Sequence, residues 1–181
     1  MRLFIGIDCP QAIRDALSHD AAEAMRYVDM TPVRCENIHL TLKFLGEADS
    51  KKMEALVSSL AEINNACFTI AVEGIGVFPS IAKPRVIWAG ISDGRMEVES
   101  LASGINSVCE KLGFPKEDKF HPHITLGRIK KVKDKGGLKA ILEAKKTVKY
   151  GSAHVSGYHL IESKLSPGGS KYFKIKDFPL R

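Results

Sequence analysis

The chain has 181 residues, 44% of them apolar and 27% charged, which is enough to bury a sizeable core and excludes intrinsic disorder. Its longest apolar runs, such as residues 86–91, are too short to span a bilayer. Four widely spaced cysteines, Cys9, Cys35, Cys67 and Cys109, form no C-x-x-C pair, which argues against a zinc site or a disulfide scaffold and reads as small buried hydrophobes.

In chain order, Arg2 to Asp8 alternates as a strand, with Leu3, Ile5 and Ile7 on one face and Phe4 and Gly6 on the other. This opening lacks the basic start and long apolar stretch of a signal peptide, so a cytoplasmic protein is expected. Pro10 can begin a helix carrying Ala12, Ile13, Ala16 and Leu17 at helical spacing. His39 to Leu45 reads as a strand ended by Gly46, and Asp49 or Ser50 can cap a helix bearing Met53, Leu56, Val57 and Leu60. Strands over Cys67–Phe78 and Arg85–Ile91 flank a turn-rich stretch, Pro79 to Pro84. Asp93 and Gly94 then open a helix through Leu112 that Gly113 and Pro115 stop.

The second half repeats the plan. A strand over His123–Ile129 is followed by a short helix, Leu138–Ala144, after a Gly136-Gly137 break. Ser152–Ser156, Tyr158–Leu165 and Lys171–Ile175 are closing strands. Mixed elements with short strand connections predict an α+β fold with antiparallel sheets, and their order predicts two similar halves side by side.

The repeat is sharpest in two strings. His39-Leu40-Thr41-Leu42 recurs as His123-Ile124-Thr125-Leu126, 84 residues later. Residues i and i+2 of a strand share a face, so each motif presents an imidazole beside a hydroxyl on a rigid strand. Strict alternation adds Lys43 to the face of His39 and Thr41, and sends Phe44 into the core with Leu40 and Leu42. Two such strands across a groove would surround one small anion with two imidazoles and two hydroxyls. That set suits phosphodiester cleavage without metal: one histidine as base, one as acid, and the threonines donating to non-bridging oxygens. The two motifs are nearly equivalent, so the sequence does not orient acid and base.

Other residues have plainer readings. His121 and His123 with Asp118 could suggest a metal site, but Pro122 interrupts the alternation and no other ligand spacing supports it. His19, His154 and His159 lack a partner pattern and read as surface or structural. Trp88, Phe44 and Phe78 are most simply core aromatics, and Tyr172 is a better candidate for lining a groove. From Arg128 to Lys149 there are nine Lys or Arg against two acids, either a solvated face or a footprint for a polyanion.

At these motifs the sequence resembles the 2H phosphoesterases, named for two His-x-Thr/Ser motifs, and more narrowly the RNA 2′,3′-cyclic phosphodiesterases, long called 2′–5′ RNA ligases. The resemblance extends over Arg2–Asp8, Asn37–Gly46, Gly76–Pro79, Arg85–Gly90, His121–Arg128 and the tail from Ser163 to Tyr172. It implies a single domain over 1–181 of two related lobes, a bilobal pseudo-two-fold pair of antiparallel sheets flanked by helices around a central groove. It implies His39 as proton donor to the departing O3′ and His123 as the base that activates water. The product is then a 2′-phosphomonoester, formed with no cofactor or metal.

The resemblance also places Arg128 near the phosphate. Strict alternation puts Arg128 on the opposite face, unless Gly127 permits a bulge. The implied partner is an RNA end with a 2′,3′-cyclic phosphate, tRNA or its fragments among them, met by a monomer. Reversible 2′–5′ ligation, a non-catalytic RNA-binding module, or another cyclic phosphate or 2′–5′ oligonucleotide as substrate are the alternatives.

Overall fold

The computed structural model describes residues 1–117, 119–167 and 169–181. The first motif lies on β3 (His39–Glu47), hydrogen-bonded to β1 (Arg2–Asp8). The second lies on β6 (His123–Val132), beside β5 (Val86–Ile91). Further out, β4 (Phe68–Phe78) and β7 (Lys149–Val155) extend the β5 side. On the β1 side, β8 (Gly157–Ser166) and β9 (Gly169–Pro179) form a hairpin. The order is β7-β4-β5-β6-β3-β1-β8-β9, with β2 (Val28–Pro32) paired to the far end of β6.

All of these pairings are antiparallel, and the order is symmetric about the β6–β3 junction. One nine-stranded sheet thus stands where two were expected, its halves joined at that junction through the single register pair Leu40 and Ile124. The α+β class and the antiparallel pairing stand as the sequence pattern implies.

Four helices complete the described residues: α1 (Gln11–Ala24), α2 (Ser50–Leu60), α3 (Arg95–Lys111) and α4 (Lys135–Lys145). Helix α3 packs on β3 and α2 on α3, while α1 lies against β2, β6 and β7 and α4 against β4. Their apolar faces, including Leu17, Leu56, Leu101 and Leu138, join the strand leucines and isoleucines in one core cluster. Asp49 caps α2 by accepting from the Lys52 N–H at 2.8 Å. No helix among the described residues is long and apolar enough to cross a membrane.

Two local expectations change. Gly136 and Gly137 lie inside α4, not before it, because Asp134 accepts from the Gly137 N–H at 3.0 Å and starts the helix earlier. The five-residue β2 escapes the sequence pattern because only Val28 and Met30 of it are buried. All four cysteines are free. Cys9 and Cys109 are buried as expected, with burial pushing both thiols up, to about 12 and about 11. Cys35 and Cys67 are only half-buried, so the buried-hydrophobe reading holds for one pair alone.

Candidate active site

Each motif histidine is held the same way. His39 Nδ1 donates to the carbonyl of Asn37 at 2.6 Å, and His123 Nδ1 to the carbonyl of His121 at 2.7 Å. A backbone carbonyl accepts only, so it fixes the proton on Nδ1 and leaves Nε2 as the nitrogen that can accept a proton. The acceptor beside His39 is itself tethered: Asn37 is buried and its Nδ2 donates to the Ser170 carbonyl at 2.8 Å. Thr41 Oγ1 lies 2.7 Å from His39 Nε2. No matching bond joins Thr125 to His123 among the described residues.

The surroundings of the two rings differ. His39 sits between Phe4 and Tyr172, with ring centroids 4.8 and 5.4 Å away. Burial pushes its pKa below the usual histidine value, against the bond to Asn37 and the charge of Asp8, which both raise it. Gly6 makes this close seat possible, because a Cβ there would meet His39 Cδ2 and the Leu40 carbonyl at 3.1 Å. His123 meets the edge of Phe78 at 5.2 Å, and Phe78 stacks on Trp88 at 4.8 Å.

Beyond the threonines both strands bulge at equivalent leucines. Ile5 pairs with Lys43 and Gly6 with Thr41, which leaves Leu42 without a partner. Ile87 pairs with Gly127 and Trp88 with Thr125, which leaves Leu126 without one. An unpaired residue reverses the alternation that follows it. Lys43 therefore turns inward, 2% exposed, where its Nζ donates to Asn106 Oδ1 at 2.6 Å and to the Pro115 carbonyl at 2.8 Å. Phe44 turns outward, 62% exposed. The expectations that Lys43 shares the face of His39 and that Phe44 is a core aromatic are both corrected by this bulge. The same device, at Leu126 rather than at the neighbouring Gly127, brings Arg128 into the limb that Thr125 lines.

The resulting groove has two adjoining limbs that share Thr41 and Phe44. One, of about 500 Å³, is the more polar of the two and is lined by Arg2, His39, Thr125, Arg128 and Tyr172. The other, of about 510 Å³, is more apolar and is lined by Phe78, Pro79, Phe120, His121 and His123. Of the five expected site residues, His39, Thr125 and Arg128 border the first limb, His123 the second, and Thr41 both. Arg2 and Phe44 are additions that the sequence pattern did not single out. Arg2 lies far from either motif in sequence, and the position of Phe44 depends on a bulge.

Other candidates fall elsewhere. Asp118 lies outside the described residues. Among the described residues the one carboxylate and imidazole group close enough to share an ion is His19, Asp20 and Glu23 on α1, where Asp20 already accepts from Lys145 and Tyr150. His159 is not partnerless: its Nδ1 lies 2.6 Å from Asp177 and its Nε2 3.4 Å from Asp8. In the basic stretch only Arg128 lines the groove. Lys133 is spent on the Met25 carbonyl and Lys145 on Asp20 and Glu23, which favours a solvated face for the rest.

Two tautomer-locked imidazoles beside hydroxyls and a guanidinium are groups that acid–base work on a small phosphoester requires. The chain belongs to the LigT-like phosphoesterase family, whose model matches residues 7–88 and again 90–172, one match to each half. An Archaeoglobus fulgidus protein named RNA 2′,3′-cyclic phosphodiesterase is 32% identical over 178 residues, covering 98% of this chain and 99% of that protein. Its namesake from Methanocaldococcus jannaschii is 34% identical, covering 98% and 100%. Among solved structures, one of a Thermus thermophilus protein matches with a TM-score of 0.82 at 29% identity, covering 100% of this chain and 98% of that one. Escherichia coli LigT in complex with 3′-AMP matches with a TM-score of 0.80 at 29% identity, covering 99% and 97%.

Proposed function

We propose that the protein hydrolyses RNA ends carrying a 2′,3′-cyclic phosphate to 2′-phosphomonoesters, with His39 and His123 as acid and base. The observation that carries this reading is the shared tautomer lock, which leaves both Nε2 atoms to work on one groove. Neutral His123 takes a proton from water as the water oxygen bonds to phosphorus. The P–O3′ bond breaks, and protonated His39 gives its Nε2 proton to O3′. Thr41 and Thr125 donate to the non-bridging oxygens, and Arg128 offsets the charge that gathers there. Burial makes protonated His39 a stronger acid but a scarcer one, and a bound phosphate anion restores the protonated form.

Phe44 and Phe78 offer apolar faces to the terminal nucleobase. The reading takes residues 1–181 as one domain of two related lobes, a cytoplasmic monomer that acts on RNA ends such as tRNA fragments. No metal or cofactor enters this scheme. If a 5′-hydroxyl replaces water, the same steps form a 2′–5′ linkage, which ranks second wherever water is abundant.

The test is product analysis with an oligonucleotide ending in a 2′,3′-cyclic phosphate, in the presence of EDTA. A 2′-phosphate end is expected. A 3′-phosphate end would reverse the leaving oxygen, and an unchanged substrate would reduce the protein to a binding module.

A further inference from the structure

We propose that the Arg2 end of the polar limb holds a second phosphate, the phosphodiester joining the terminal nucleotide to the RNA chain, with Arg128 between it and the reacting phosphate. The proposal rests on the reading that the reacting phosphate lies between the two histidines. Arg2 comes from the first position of β1 and Arg128 from the bulged part of β6, and both line the limb. Neither guanidinium has an ion-pair partner among the described residues. Two like charges facing one cleft repel, so the arrangement is uphill until an anion enters it.

Three polar groups complete the cradle. Ser163, Ser170 and Tyr172, all on the β8–β9 hairpin, line the same limb, and Ser163 and Tyr172 are register partners. The Tyr172 ring is fixed against Phe4 at 4.9 Å and against His39. Burial raises the pKa of its hydroxyl, while the charges of Arg128 and Arg2 both pull it down, so the two arginines converge on that one group. Tyr172 thereby stays a hydrogen-bond donor between two cations, which is the chemistry of a phosphate seat.

Spacing separates this seat from the reacting centre. Thr41 pairs with Gly6, whereas Arg2 pairs with Glu47. Four residues of strand between Gly6 and Arg2 span about 13 Å. That span exceeds the reach of an arginine side chain, so Arg2 serves a phosphate further along the limb than the one between the threonines. A nucleoside cyclic phosphate held between the threonines would leave the Arg2 end of this limb unfilled, and an RNA end would fill it.

The deciding measurement is calorimetric binding of two unreactive dinucleotides ending in a 2′-O-methyl 3′-phosphate, one with a natural internal linkage and one with an uncharged methylphosphonate. Wild type should prefer the charged linkage by about tenfold, the worth of a hydrogen bond to a charged group. Arg2→Met should abolish the preference and Arg2→Lys should keep part of it. Equal binding of both probes by wild type, or an undiminished preference in Arg2→Met, overturns the proposal. A mononucleotide with 5′- and 3′-phosphates should also gain over one with a 3′-phosphate alone, because its 5′-phosphate takes the place of the internal linkage, and the absence of that gain would overturn the proposal. Because binding needs no turnover, the result stands apart from the histidine assignment, which turnover of a nucleoside 2′,3′-cyclic phosphate tests.

Discussion

Strands β3 and β6 begin alike and end differently. Both open with a histidine locked through Nδ1, carry a threonine two residues on, and bulge at the next leucine. After the bulge, one strand places Lys43 inside and Phe44 outside, and the other places Gly127 inside and Arg128 outside. The inner residues answer to different neighbours. Lys43 reaches Asn106 on α3 and the Pro115 carbonyl, whereas at Gly127 even a Cβ would meet Met30 Sδ at 2.7 Å. The outer residues give the groove an aromatic wall where its limbs meet, at Phe44, and a cationic one within the first limb, at Arg128. The repeat places two equivalent imidazoles and hydroxyls along the groove, and the divergence makes its two limbs unlike.

The largest effect should come from the part that is symmetric. His39→Ala and His123→Ala should each lower kcat by about 10²- to 10⁴-fold, and the double variant by little more, because the two act as a unit. Turnover of an oligonucleotide with a cyclic phosphate end checks this, and additive losses would break the pairing.

The asymmetric residues should separate next. Arg128→Met should lower kcat/KM by about 10- to 100-fold and weaken its salt dependence, since hydrogen bonds to charged groups contribute about 1.5–3 kcal/mol. Phe44→Leu should raise KM with kcat held, at the roughly 1–3 kcal/mol typical of base stacking. The opposite pattern, with Phe44→Leu reducing kcat alone, would remove the division between an aromatic and a cationic wall.

The inner pair should register in stability. Lys43→Met leaves the Pro115 carbonyl unpaired and should cost about 1–3 kcal/mol by urea denaturation. Gly127→Ala should cost a similar amount, about 1–3 kcal/mol, through overpacking on Met30. Equal tolerance of both changes would mean that the bulges do not decide the packing.

The smallest effect is a shift in pH profile. Acting as the acid, His39 must hold its proton, so kcat/KM falls as pH rises through its pKa, which burial keeps below the usual value. Tyr172→Ala opens the ring to water and relaxes that pKa upward, so this limb of the profile should move to higher pH. A limb that stays in place would show that Tyr172 does not shield His39.

Much of this was legible in the chain itself. Alternation of apolar residues and the turn residues between them located the main strands and helices, and the repeated His-x-Thr strings located the four central groups. Those signals are local, with i and i+2 sharing a face whatever the rest of the molecule does. Lys43, Phe44 and Arg128 were not legible in the same way. Their directions depend on one unpaired leucine in each strand, and whether a leucine goes unpaired is set by the partner strand's register. Arg2 is a sharper case, since nothing within its own segment marks it until the β8–β9 hairpin brings Tyr172 and the β6 bulge brings Arg128 to the same cleft. Short-range periodicity determined the elements and the paired histidines, whereas the difference between the groove's two limbs and its second cation came only from contacts between strands far apart in the chain.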